Sequence, residues 1–377
     1  MSTAILALLA LVLVLPAVAV SASDENQTFT RKQVTGIIAE FRKLVSPNSV
    51  EEQLEIPIGG TKQWILVRGR DRANPILLVI HGGPASPEMP IGWAYQSGWE
   101  DYFTVVQWDQ RGSGKTYNAN DPAQIRRTLS LDRIVEDSRE VIAYLCKRYG
   151  KQKVFVLGHS WGSLVGLTLA QKHPELLYAY VGVGQVIDGV KAERAGYAWT
   201  LAEAEKRGNA QAMMALKAIA PYPEKNGAVP LAKINIERTW NMMLGGLTWG
   251  RSGLDYYYDV AKLSPDYTVA DLAAIDKGSA LSLSPLLPDF TRANFDNVTE
   301  FKTPIVLFLG RHDYTTASSV AAEWLAHVKA PGKKIVWFEN SAHMMPVEEP
   351  GRFLVHLVED VRPLASIVMA PSRPIGR

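Results

Sequence analysis

The sequence predicts an α/β fold: a mostly parallel, doubly wound sheet carrying a helical insertion after its sixth strand. From Gln53 onward, short β-rich runs alternate with helical ones, the order that builds a parallel sheet covered by helices. The later β-rich runs are continuously apolar, as strands buried on both faces are. Between "YAYVGVG" and "PIVLFLG", from roughly Gln185 to Lys302, the composition is helical and no core strand is evident. A structureless loop of that length is implausible, so this interval is expected to be a folded helical subdomain.

Taken in order, residues Met1 to Ala22 carry no charged side chain, and "AILALLALVLVLPAVAV" ends in the small residues "VSA" ahead of "SDENQ". This reads as a secretory signal peptide cleaved after Ala22, which would make the mature chain secreted or periplasmic. The alternative is a retained N-terminal membrane anchor, because the run is near the lower limit for a span and its start has no Lys or Arg. No later segment is apolar enough to span a membrane.

The runs "QLEIPIG" and "KQWILVRG", parted by Gly59 and Gly60, read as an opening antiparallel pair. "PILLVIH", "FTVVQWD", "KVFVLG", "YAYVGVG", "PIVLFLG" and "KIVWFEN" are the buried strands, and helical periodicity follows Arg133, Trp161, Ala317 and Glu348. The core is therefore expected over 51–184 and 303–365, with a helical cap over 185–302. The cap is rich in aromatics, Trp199, Trp240, Trp249 and Tyr256 to Tyr258 among them, each expected to serve mainly as cap core. The tail "APSRPIGR" is expected to fray.

Composition sets outer limits. Of 377 residues, 47% are hydrophobic and 21% charged, which is the profile of a folding chain. Lys plus Arg number 40 against 38 Asp plus Glu, with no dense basic block, so nucleic acid is not an expected partner. The single cysteine, Cys146, lies in an amphipathic run and reads as a small buried hydrophobe; no disulfide can form within one chain.

Chemistry is concentrated around "VFVLGHSWGSLVG". A G-x-S-x-G match arises by chance in roughly one chain in eight of this length, so Gly158, Ser160 and Gly162 mean little alone. Their context adds the weight. An apolar strand ends at Leu157 and a helix begins with "WGSLVGLTLAQKH", giving the strand, sharp turn and helix of a nucleophile elbow. A serine also needs a base to take its proton and a carboxylate to orient that base. Elbow enzymes supply them in the order Ser, acid, His from loops after late strands. "PIVLFLGRHDYTT" places Asp313 there and "KIVWFENSAHMMP" places His343. The other histidines fit less well: His159 is expected to point away from Ser160, His312 adjoins the acid, His81 lies in the loop after the third strand, and His173, His327 and His356 belong to helices. Two amides should face the developing oxyanion: Trp161, at the helix start, and Gly83, in "HGGP" after the third strand.

The strings "HGGP", "WDQRGSGKT", "GHSWGS", "GRHD" and the late "AH" together resemble the proline iminopeptidases, a branch of the α/β-hydrolase superfamily, from about Glu51 to Leu364. The resemblance implies an α/β-hydrolase core with a helical cap after the sixth strand, no cofactor and no metal. It implies Ser160 as nucleophile, Asp313 as orienting acid, His343 as base, and the amides of Gly83 and Trp161 as oxyanion hole. Asp109, Gln110 and Arg111 would form a structural loop, with Arg111 paired. The chain departs from the family at Ala85 and His159, where glycine is usual. It departs again in "TWNMMLGG", where Leu244 stands in place of a cap glutamate that would hold the substrate's free amine. Glu237, Asp255 or Asp259 could substitute. An ammonium desolvated without an anion is costly, so the substrate stays open between the N-terminal proline bond of a short peptide and a small ester or lactone.

A ligand-binding receptor on the same fold is the non-enzymatic alternative, although a receptor has no use for a complete set of catalytic groups. Epoxide hydrolases and haloalkane dehalogenases are disfavoured, because their elbow carries Asp where this chain has Ser160.

Overall fold

The computed structural model describes residues 28–369. The signal-peptide reading of Met1 to Ala22 and the tail from Ala370 lie outside the described residues. All eight expected strands form, as β1 (Val50–Ile58), β2 (Thr61–Gly69), β3 (Ile76–Ile80), β4 (Thr104–Asp109), β5 (Val154–His159), β6 (Leu177–Val183), β7 (Ile305–Gly310) and β8 (Lys333–Phe338). They join one sheet in the order β1-β2-β4-β3-β5-β6-β7-β8. β1 pairs antiparallel with β2, and β2 with β4; every later pairing is parallel.

Strand residues alternate between two cores, as the two-residue period requires. Leu78, Ile80, Val156 and Leu307 face one side with Val141 and Leu145 of helix Leu131–Tyr149 and with Val165. Leu77, Val79, Phe155, Leu157 and Phe308 face the other, with Trp99 and Phe353. Helices thus cover both faces, which is why these strands carry no polar alternation. The Leu131–Tyr149 helix shows how local signals set its bounds. The Ser130 side chain accepts from the Arg133 amide at the start, and Gly150 closes the end at φ 64°.

Between β6 and β7 lie the helices Gly189–Lys206, Ala210–Ala218, Leu231–Leu244, Asp255–Lys262 and Val269–Thr291. Trp240 packs with Leu216, Tyr222 and Leu244 in a separate apolar cluster, as expected of a small helical subdomain. Three cap aromatics depart from that expectation: Tyr257 and Tyr258 face the cavity described below, and exposed Trp249 stacks on His312. Cys146 is half-buried against the sheet core rather than fully buried.

Not among the elements expected from the sequence are the short helices Met89–Gly92, Gly114–Asn118 and Pro122–Thr128, nor the longer helix Arg31–Phe41. Its signal was present as a capping box, in which the Thr30 side chain accepts from the Gln33 amide and the Gln33 side chain accepts from the Thr30 amide. Arg31 then donates to the carbonyls of Lys262, Ser264 and Tyr267, tying this helix to the insertion. Among the described residues no helix is long and apolar enough to cross a membrane.

Candidate active site

β3, β5, β7 and β8 end at the same edge of the sheet, and the segments following them converge on one cavity of about 220 Å³. Gly82, Gly83, Glu88, His159, Ser160 and His343 line its floor, with Arg238, Leu254, Tyr257 and Tyr258 of the insertion above them. This is the carboxyl edge of a parallel sheet, where open α/β sheets bind ligands. A larger cavity of about 470 Å³, bounded by Asn226–Pro230 and Leu287–Arg292, contains no nucleophile or acid–base pair.

Ser160 sits at φ 55° and ψ −120°, a left-handed conformation that a non-glycine residue adopts at a cost of about 1–3 kcal/mol. Its amide donates to the Val183 carbonyl at 2.9 Å, and its carbonyl accepts from the Ser163 amide at 2.8 Å, which hold the turn. The flanking glycines are dictated by crowding. A Cβ on Gly158 would stand 2.3 Å from the Gly162 carbonyl oxygen, and one on Gly162 would stand 1.9 Å from that of Ile80. Those contacts are with backbone in a buried strand and helix, so they cannot relax cheaply. Gly162→Ala should therefore destabilise the protein by at least about 3 kcal/mol, read from its urea midpoint. An unchanged midpoint would mean that the elbow has more room than the structure gives it.

His343 and Asp313 are directly bonded, with Nδ1 donating to Asp313 Oδ2 at 2.8 Å. The amides of Thr315 and Thr316 donate to Asp313 Oδ1 at 2.9 and 3.0 Å, and the Thr316 hydroxyl donates to Oδ2 at 3.0 Å. Burial opposes ionisation of Asp313, but His343 and the Thr316 donors outweigh it and hold the carboxyl below its ordinary range. A carboxylate fixed in this way keeps the proton of a neutral imidazole on Nδ1 and leaves Nε2 free as a base. No hydrogen bond joins Ser160 Oγ to His343 in this structure; such contacts commonly tighten only when substrate is bound. Gly184, after β6, leaves the room that the imidazole uses, since a Cβ there would lie 2.6 Å from His343 Cε1.

Gly83 lines the cavity and Trp161 directly follows Ser160 in the elbow, and neither amide has a hydrogen-bond partner among the described residues. Gly83 adopts φ 117°. The loop after β4 braces both segments: the Gln110 side chain donates to the His81 carbonyl at 2.8 Å and accepts from the Trp161 indole at 3.3 Å. Arg111 is fully paired, as the sequence suggested. Its Nε and Nη2 donate to Asp137 at 2.8 and 3.0 Å, and its remaining donors reach Thr128 and the Gly59 carbonyl. Arg111→Met should cost about 3 kcal/mol, the low end for breaking a buried pair, because Arg133 and Gln63 still serve Asp137. A loss below about 0.5 kcal/mol in chemical denaturation would show that the pair contributes little.

The insertion is pinned across the site by main-chain bonds. The Tyr314 amide donates to the Gly246 carbonyl and the His343 amide to the Leu247 carbonyl, both at 3.0 Å. Of the carboxylates considered for amine binding, Asp255 and Asp259 are exposed and lie outside the cavity, and Leu244 is buried in the insertion's own cluster. Glu237 is fully buried beside Arg238, which donates to it at 2.9 Å and also pairs with buried Glu193. Burial pushes the Glu237 carboxyl up to about 7 against the pull of Arg238. Arg238, and not a carboxylate, is therefore what this cluster presents to the cavity.

His159 departs from expectation. It lines the cavity beside Ser160, and its ring centre is 4.9 Å from that of His343. Its partner Glu88 is 71 residues away in sequence, so no local pattern announced the contact.

A model for the alpha/beta hydrolase fold matches residues 75–211. The chain is 31% identical over 308 residues to a Bacillus subtilis protein named "Probable aminopeptidase YbaC", covering 81% of this chain and 94% of that one. It is 23% identical over 322 residues to a proline iminopeptidase of Saccharolobus solfataricus, covering 79% of this chain and 88% of that one. Among solved structures, a proline iminopeptidase-related protein of Thermus thermophilus superposes with a TM-score of 0.59 at 20% identity, covering 84% of this chain and 98% of that one. Shorter stretches also match epoxide hydrolases. The chain belongs to the α/β-hydrolase enzymes and, within them, to the proline iminopeptidase-like kind.

Proposed function

We propose that this chain is an exported serine hydrolase that releases the N-terminal residue, proline in the first instance, from short peptides. Ser160 attacks the acyl carbon while His343 Nε2 takes its proton, and the amides of Gly83 and Trp161 receive the oxyanion. His343 then protonates the leaving amine, and water, activated by the same base, hydrolyses the acyl-enzyme. Asp313 keeps the imidazole in the useful tautomer and stabilises the imidazolium as it forms. Residues 185–302 act as a cap that roofs the acyl site. The observation that carries this reading is the Asp313–His343 bond in the same small cavity as a serine at φ 55°.

A second reading, cleavage of a small ester or lactone, is favoured by one feature of the cavity. The carboxylates nearest the cavity already have partners: His159 bonds Glu88, and Arg238 is shared by Glu193 and Glu237. An incoming ammonium would have to compete with them.

The test is kcat/KM on proline p-nitroanilide beside p-nitrophenyl acetate and butyrate, with fluorophosphonate labelling of Ser160. A preference for the proline amide supports the peptidase. Ester turnover without proline release moves the assignment to an esterase, and a folded protein that neither labels nor turns over any of the three is a binding protein.

A further inference from the structure

One buried ion pair beside the cavity takes no part in the chemistry above. Glu88 follows the HGGP loop and precedes the short Met89–Gly92 helix. Its Oε1 accepts from His159 Nδ1 at 2.6 Å, and its Oε2 accepts from the Tyr95 hydroxyl at 3.2 Å. On the other side of the ring, His159 Nε2 lies 3.0 Å from the main-chain oxygen of His343. Both ring nitrogens therefore face acceptors. A neutral imidazole carries one N–H and one lone pair, and here that lone pair would confront an oxygen; only the imidazolium donates on both sides. Glu88, His159 and His343 are 5%, 5% and 3% exposed, so neither bond is shared with bulk water.

We propose that Glu88 holds His159 as an imidazolium, and that His159 is a positioning residue whose Nε2–H bond to the His343 carbonyl fixes the loop carrying the base. The inference rests on the reading of His343 as base. It would make the Glu88–His159 pair a clasp between the segment after HGGP, the elbow and the loop after β8. The pair is neutral overall, which makes its burial tolerable. Burial alone would discourage charge on His159, but Glu88, with the His343 carbonyl and Asp313 assisting, outweighs it and raises the group above its ordinary value. Around Glu88 the other titratable groups are His81, which burial lowers to about 4, and Tyr95 and Tyr257, both raised well above the phenol range by burial. None of the three changes charge near neutral pH.

The direction of the pH effect follows. A histidine raised by a partner contributes at low pH, and its contribution is lost as pH rises through its folded-state value. In Glu88→Gln the amide oxygen still accepts from Nδ1, but the charge that retains the second proton is gone, so His159 becomes neutral at a lower pH. With Glu88 gone, burial takes His159 below its ordinary value, so the ratio of variant to wild-type kcat on p-nitrophenyl acetate should fall by about tenfold from acid to neutral pH, with KM nearly unchanged. His159→Gln keeps one donor without titrating, so its ratio should be pH-independent. A flat ratio for Glu88→Gln, with wild-type kcat in His159→Leu, would overturn the proposal. If Glu88→Gln does not fold, 15N-histidine NMR of the wild type at pH 7.5 decides the charge state: protons on both His159 nitrogens support it, and a neutral tautomer refutes it. Loss of all ester turnover in the wild type would instead count against His343 as base, and the NMR result is independent of that.

Discussion

Ser160→Ala is expected to abolish turnover while leaving the protein folded. Without Oγ no acyl-enzyme can form, and loss of a serine nucleophile in such a set costs about 10⁶ in kcat. Stability should change little, because Ser160 is held through its backbone: its amide bonds Val183 and its carbonyl bonds Ser163, and alanine keeps both. Alanine also keeps the Cβ, so it meets the same demand at φ 55°. The measurement is kcat on p-nitrophenyl butyrate together with a thermal melt. Equal losses of activity and stability would make Ser160 a structural turn residue, and residual activity within tenfold of wild type would place the nucleophile elsewhere.

Asp313→Asn should lower kcat by about 10⁴ with the fold intact. The isosteric amide can keep its carbonyl oxygen toward the Thr315 and Thr316 amides, which now donate to Oδ1. That orientation aims the NH₂ at His343 Nδ1, which must then carry a lone pair, so the proton moves to Nε2 and the base faces Ser160 with an N–H. The rate is lost through the tautomer, with no cavity; the Thr316 hydroxyl, which now donates to Oδ2, has only to turn and accept from the NH₂. A pH–rate profile for proline p-nitroanilide and the butyrate ester, beside the melting curve, checks this. An unaffected rate would mean that another carboxylate orients the base. Glu348 is the nearest alternative, with a carboxyl pushed up to about 7 by burial, but it accepts from the Trp249 and Ala342 amides and makes no bond to His343.

The two variants separate the machinery from the specificity of the cavity. Both should remove amide and ester cleavage alike, since on the proposed mechanism Ser160 and Asp313 serve any acyl group. On the proposed mechanism a change at Arg238 would act instead on what the cavity admits, because Arg238 lines it while Glu193 and Glu237 are buried. At about 220 Å³ the cavity is below the range for drug-sized ligands, which on the proposed mechanism favours a small acyl group.

Much of the fold was legible because its signals are local. A parallel strand buried on both faces is mostly apolar, and β3, β5 up to Gly158, and β7 show this as an unbroken run. The elbow is equally local, since Gly158 and Gly162 are forced by atoms within a strand, a turn and a helix that are consecutive or adjacent in the sheet. Chain order then pointed to Asp313 and His343, because each immediately follows a strand that the sequence announces. The helix Arg31–Phe41 carries a local signal of the same kind in its capping box. Its partners in the insertion were not legible, being more than 200 residues away.

Local sequence signals were enough to specify the sheet, the insertion between β6 and β7, and the residue types delivered to the sheet's carboxyl edge. The tertiary structure alone decided how charges pair around the cavity. Glu88 finds His159 across 71 residues and Arg238 finds Glu193 across 45, through contacts between separate elements that leave no periodic trace. A buried charge must be matched wherever packing happens to bring a partner, and packing is set by the whole set of elements at once. For that reason Glu237 and His159, open or set aside as single letters, acquire their meaning only once Arg238 and Glu88 stand beside them.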